Sequence, residues 1–409
     1  MPRTRGGQRG WGYARRPARR TATILEDELV WDRREVLKSV GAGAALVVAA
    51  TGARAASAEV GGRATSVAIV GNEFQINGKP TYPGRAFRGN KIEGLLFTSR
   101  MVNAIIDDHN PETRGVWAYP DGPWNPERNT NEFIAALPSY RAHGLTSVSF
   151  NVQGGSPMGY GWHQPWHTSG YTPDGHLLLE YRARLLRVLD ALDANGMVAV
   201  LGLFYIGATP ALTDEAAVLR ATDEVTDLVC EGGYTNVMIE VGNEIDLARW
   251  PYEIVKPARS HELVAHIQTR SRGRLKTPSG RLLVSTSFAG RGALPRQLLQ
   301  TADYVLFHGN GLATPADLHA RAKSIRATAG YAGQPLLINE DDHYDFDQPQ
   351  NNMMAAIEEY CGWGFFDYRQ IREPFEYGYQ SLPVDWTIDA PRKKGFFGLL
   401  AEATGSAPL

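Results

Sequence analysis

Two cysteines in 409 residues, Cys230 and Cys361, are too few for a disulfide framework, so both read as buried thiols and the fold must rest on its core. A basic excess is missing as well. The formal net charge of −2 leaves nothing with which to neutralise a phosphate backbone, and nucleic acid is excluded as a partner. The arginines of the first twenty residues are a local bias. The mild apolar run Val40 to Ala50 is too short to span a bilayer, so no membrane association is expected of the mature chain. No glycine-rich turn follows an early strand, which argues against a doubly wound nucleotide-binding sheet.

With 43% hydrophobic and 21% charged residues, the chain can bury one barrel-sized core. Residues 1–58 read as an export signal instead. Asp32-Arg33-Arg34-Glu35-Val36-Leu37-Lys38 resembles a twin-arginine motif, and the apolar run and the small residues Ala56-Ser57-Ala58 follow it in the order a signal peptidase requires. The expectation is a folded protein exported to the periplasm or beyond the cell, with residues 59–409 as its single domain.

That domain opens on Val67 to Pro80, where apolar alternation around Gly71-Asn72 and the turn pair Asn77-Gly78 predict a hairpin able to plug a barrel's bottom. The text then repeats in architecture: apolar strand, loop, amphipathic helix, glycine stop. Strands are predicted at 95–106, 146–152, 197–203, 236–241, 282–287, 304–308, 336–340 and 364–367. The first helix is expected to be capped by Asn129 or Thr130. Eight strand and helix pairs make a single α/β domain, a (β/α)8 TIM barrel, and the chemistry of such barrels sits at the C-terminal ends of the strands.

Two of those ends carry the same signature. Asn236-Val-Met-Ile-Glu-Val-Gly-Asn-Glu244 delivers Asn243-Glu244 after strand four, and Pro335-Leu-Leu-Ile-Asn-Glu340 delivers Glu340 after strand seven. On these residues, and on the opening Phe74-Gln-Ile-Asn-Gly-Lys-Pro hairpin, the chain resembles clan A of the glycoside hydrolases, the cellulase-like retaining (β/α)8 enzymes. The resemblance implies Glu244 as acid/base, Glu340 as nucleophile, Asn243 toward the sugar's 2-hydroxyl, and His308 near the nucleophile. A retaining glycosidase needs two carboxyls about 5–5.5 Å apart in different ionisation states, and the less solvated one should keep the shared proton.

Further strand ends offer groups suited to hydroxyl-rich ligands: Asn151 and Gln153, His308 and Asn310, Asp108 and His109. The loops are rich in aromatics, of which Trp162 and Trp166 are candidates to stack on sugar faces, while others should only pin a long loop. Strand eight departs from the family pattern, with Trp363 before the strand and Asp367-Tyr368-Arg369 after it. The expected partner is a carbohydrate, with no cofactor and no metal. Two alternatives stay open. Asp107-Asp108-His109 and Asp341-Asp342-His343 could serve a metal-dependent barrel hydrolase, and a non-catalytic carbohydrate-binding barrel would need one glutamate lost. Which sugar and linkage, exo or endo action, and the oligomeric state are not written in the sequence.

Overall fold

The structure, a computed structural model, describes residues 62–155, 165–370 and 372–407. Residues 1–58, expected to be an export signal, and the candidate Trp162 lie outside the described residues. Eight parallel strands form one sheet: β1 Thr98–Arg100, β2 Ser147–Asn151, β3 Val198–Phe204, β4 Val237–Gly242, β5 Leu283–Ser285, β6 Val305–His308, β7 Leu336–Asp341 and β8 Gly362–Phe366. Neighbours pair in sequence order and β8 pairs with β1. Between β5 and β6 the seam is held by Asp303 N to Val284 O at 3.0 Å and His308 N to Phe288 O at 2.9 Å. A helix follows every strand: α1 Pro126–Ala142, α2 Leu179–Ala194, α3 Glu215–Glu231, α4 Ser260–Ser271, α5 Arg296–Thr301, α6 Pro315–Ala327, α7 Asn352–Glu358 and α8 Pro391–Thr404. The chain is therefore a (β/α)8 barrel, as its periodicity predicts. No helix among the described residues is long and apolar enough to cross a membrane.

Two apolar layers result from the period-two alternation of the strands. One set of residues, among them Val148, Leu201, Ile239, Phe307 and Ile338, packs outward under the helices. The inner set at the N-terminal ends, Leu96, Val198, Val200, Met238, Leu283, Leu306 and Leu337, packs against Val67 and Phe74. Those two belong to the hairpin Val67–Val70 and Glu73–Ile76, whose strands pair antiparallel. The hairpin thus closes the end away from the chemistry, and toward the C-terminal ends the inner residues turn polar.

Three local expectations are corrected. The cap of α1 is Asn125, whose side chain accepts from Glu127 N at 3.0 Å and Arg128 N at 3.1 Å, with Pro126 pre-set for the first helical position. Asn129 and Thr130 are instead buried in the first turn and bond the carbonyls of Asn103 and Ala104. Strand one is regular only over Thr98–Arg100. The buried run to Ile106 is a turn, and an apolar stretch reads the same in either conformation. Trp363 lies inside β8, not before it, and faces outward, its indole donating to Asp341 Oδ2 at 3.0 Å. The alternation leaves Phe366, beside Tyr368 at 5.6 Å between ring centroids, on the inner side at this end. At the first helix exit the expected glycine is needed: Gly144 has φ +93, and a Cβ there would meet Thr404.

Candidate active site

A β-bulge builds the site. Ile338 pairs with Phe307, but the next partner of β6, His308, pairs with Glu340, so β7 carries one extra residue. Asn339 and Glu340 can then both face the barrel interior, and Asp341 turns away toward Trp363 and Asn352. Glu244 follows β4 in the left-handed region, φ +47, a conformation that costs a residue other than glycine about 1–2 kcal/mol. Its N–H is held by Ser287 Oγ at 3.0 Å, which helps fix the turn that presents the carboxyl.

Glu244, His308 and Glu340 converge, with one donor atom from each lying within 4.8 Å of the others. His308 Nδ1 is 3.0 Å from Glu244 Oε1 and 3.6 Å from Glu340 Oε1. Asn310 donates to Glu340 Oε1 at 2.7 Å. Below the pair lies a buried cation that sequence reasoning missed. Arg100, at the end of β1, reaches Glu240 Oε2 at 2.7 Å and Glu340 Oε2 at 2.8 Å, and it also bonds the Asn243 side chain. Asn339 supports Glu240 at 3.2 Å. Charged residues inside otherwise buried strands, Arg100 in β1 and Glu240 in β4, were the available signal.

This buried group contains three carboxylates, one guanidinium and one imidazole, so it retains protons. Burial pushes Glu340 up to about 7, with Glu244 and Glu240 adding to the rise against the charges of His308 and Arg100. Burial works in the same sense on Glu244, but the His308 hydrogen bond and the charges of His308, Arg100 and Arg249 outweigh it and hold that carboxyl below its ordinary value. His308 is raised: burial opposes its charge, and the two glutamates prevail. Glu240 stays low despite burial because of Arg100 and His308. The less solvated carboxyl is thus Glu340, 3% exposed against 19% for Glu244. Burial therefore favours the neutral form at Glu340 over Glu244.

The remaining predicted contacts divide. Asn151 lies on the inner face of β2, buried, with no hydrogen-bond partner for either amide atom among the described residues. Gly202 faces it across the strand pair, where a Cβ would come within 2.5 Å of its amide carbon. Gln153 is satisfied by Ser169 Oγ and Tyr205 N, at 3.1 and 2.9 Å. Asp108 is corrected to a structural acid. It is fully buried and accepts from Trp117 Nε1, Thr113 Oγ1, Asn110 N and His167 N at 2.6 to 2.9 Å. His109, about a third exposed, stands 3.6 Å from Asp107, 3.5 Å from Glu180 and edge-on to Tyr181. Trp166 stands edge-on to Trp117, 5.9 Å between centroids. Trp117, Tyr119, Trp124, Tyr379 and Trp386 are buried loop anchors.

Of the two Asp-Asp-His segments, Asp341-Asp342-His343 brings three donors together. Asp341, however, already accepts from Trp363, Asn352 and the side chain and N–H of His343. The hydrogen bond that His343 donates to Asp341 raises the imidazole's pKa, which favours an imidazolium over a metal ligand.

No protein-family model matches the chain, and no curated protein matches it in sequence. Solved structures do match it. A broad-specificity endoglucanase from Bacteroides salanitronis aligns at 13% identity over 76% of this chain and 93% of its own, with a TM-score of 0.49. A β-glucosidase from Thermotoga maritima aligns at 11% identity over 77% and 99%, with a TM-score of 0.48. The endo-1,4-β-mannanase of Rhizomucor miehei aligns at 10% identity, covering 84% of this chain and 100% of its own, with a TM-score of 0.51. Over most of its length, then, this chain takes the (β/α)8 fold that the mannanase takes.

Proposed function

We propose that this protein is a retaining glycoside hydrolase acting on O-glycosidic, β-linked substrates through Glu244 and Glu340. One observation carries the reading: two glutamates from the ends of β4 and β7 meet at the barrel mouth with one carboxylate oxygen of each within 4.8 Å of the other, a convergence that suits the close pair of a retaining mechanism. The name of the mannanase that shares the fold describes a β-1,4-linked substrate and supports the same class.

Glu340 is the nucleophile. Its carboxylate forms a bond to the anomeric carbon as the bond to the leaving oxygen breaks and Glu244 passes its proton to that oxygen. Water then attacks the glycosyl ester and returns a proton to Glu244, and Glu340 leaves as carboxylate. For this the proton that burial favours on Glu340 must stand on Glu244. His308, in contact with both, lets it cross without entering solvent, and a bound sugar that covers Glu244 removes the solvation that favoured its anion. Arg100 and Asn310 then stabilise the Glu340 anion. Export by the twin-arginine route, on the strength of Arg33 and Arg34, belongs to the same proposal.

The test is a pair of variants on an activated aryl β-glycoside found by screening. Glu340→Ala should lose turnover, with azide yielding a product of inverted configuration. Glu244→Ala should keep glycosylation of substrates with acidic leaving groups, with azide giving retained configuration. Opposite stereochemistries would reverse the roles, and near-normal rates in both variants would end the reading.

A further inference from the structure

A cavity of about 230 Å³ lies between the loops that follow β2, β3 and β4. At roughly 30 Å³ per water it holds about seven or eight waters, the bulk of one pyranose ring. Its walls combine aromatic side chains, Phe204, Tyr205, Trp250 and Tyr252, with Gln153, backbone and small residues. Among the described residues that line it, Arg249 is the one that carries a charge.

The cavity is tied to the acid/base side of the pair. Trp250 donates its indole N–H to the Glu244 carbonyl at 3.0 Å, and Arg249 is close enough for its charge to act on the Glu244 carboxyl. A residue of the substrate seated here would stand on the Glu244 side of the pair, against aromatic rings that suit a sugar's C–H face and a guanidinium that suits a carboxylate or sulfate.

We propose that this cavity is a subsite for an anionic sugar residue, a uronic acid or a sulfated sugar, recognised through Arg249. The proposal rests on the glycosidase reading and names the substrate class of that same site. An anion seated at Arg249 would also offset the positive field at Glu244 and favour its protonated form, which the acid step requires.

The experiment is binding, so that it does not depend on turnover. The full chain, its Arg249→Gln variant and its Glu340→Ala variant are titrated at low salt with methyl β-glucuronide, glucose 6-sulfate and methyl β-glucoside by ligand-observed NMR. The proposal expects at least one acidic sugar to bind about tenfold tighter than the neutral one. The preference should persist in Glu340→Ala, disappear in Arg249→Gln, and shrink with added salt. The stronger of the two acids identifies the anion. Equal binding of acidic and neutral sugars, no binding of either acid, or a preference that survives in Arg249→Gln overturns it. Cleavage of neutral glycosides without acid preference would leave the glycosidase reading intact, and acid preference in a protein that cleaves nothing would leave only the subsite.

Discussion

Replacing Arg100 by methionine should cost this barrel about 3–5 kcal/mol. The guanidinium is fully buried, and so is Glu240, which it meets at 2.7 Å. Glu340, 3% exposed, lies at 2.8 Å. Methionine fills much of the same space, so the loss is electrostatic: two carboxylates remain in the barrel interior without their cation. At an unfolding entropy of roughly 2 cal/mol/K per residue, each kcal/mol is worth about 1–2 °C in a domain of this size, so Tm should fall by about 4–7 °C. The loss must depend on pH in a definite sense. Without Arg100 both carboxyls have folded pKa values above their unfolded ones, so the folded state binds the extra protons and stability drops as pH rises from about 4.5 through the folded values. Thermal unfolding of Arg100→Met and wild type at pH 5, 6.5 and 8 should show a gap that widens with pH. Arg100→Met combined with Glu240→Gln should narrow it. A gap below about 1 kcal/mol at pH 8, or one that closes as pH rises, would refute the electrostatic account.

In wild type the pair works with one proton, so kcat/KM should be bell-shaped, its alkaline limb set by loss of that proton as pH rises through about 7. A profile flat from pH 5 to 9 would contradict this. Asp108→Ala should leave Trp117, Thr113 and two backbone N–H groups without their acceptor and lower stability by about 2–4 kcal/mol, with KM and the pH profile unmoved. A changed KM at wild-type stability would restore Asp108 as a substrate contact. Exhaustive EDTA treatment should leave activity intact, and loss restored by zinc or manganese would favour the metal reading. Arg33 and Arg34 both replaced by Lys should trap the precursor in the cell, as fractionation would show, because the export pathway reads paired guanidinium groups and not charge alone.

The barrel and the two glutamates at its mouth are legible in the order of the residues. Each strand is an apolar run bounded by turn residues, each helix has its own periodicity, and local order alone fixes the ordinals four and seven for Glu244 and Glu340. What surrounds the pair was decided by tertiary structure. Asp107-Asp108-His109 and Asn243-Glu244 look alike in one dimension, both being polar groups after a buried strand. The fold spends the former on Trp117, Trp124 and the turn after β1 and leaves the latter facing Arg100 and His308. Arg100 and Glu240 lie 140 residues apart, and only closure of the sheet through β8 and β1 around a small interior brings their charges to one point. The β7 bulge that turns Glu340 inward leaves no mark in the sequence, since it arises from the register of β7 against β6. The opposite shifts of the two glutamates follow from their burial and from the charges beside them, properties of the assembled barrel that no single strand end contains.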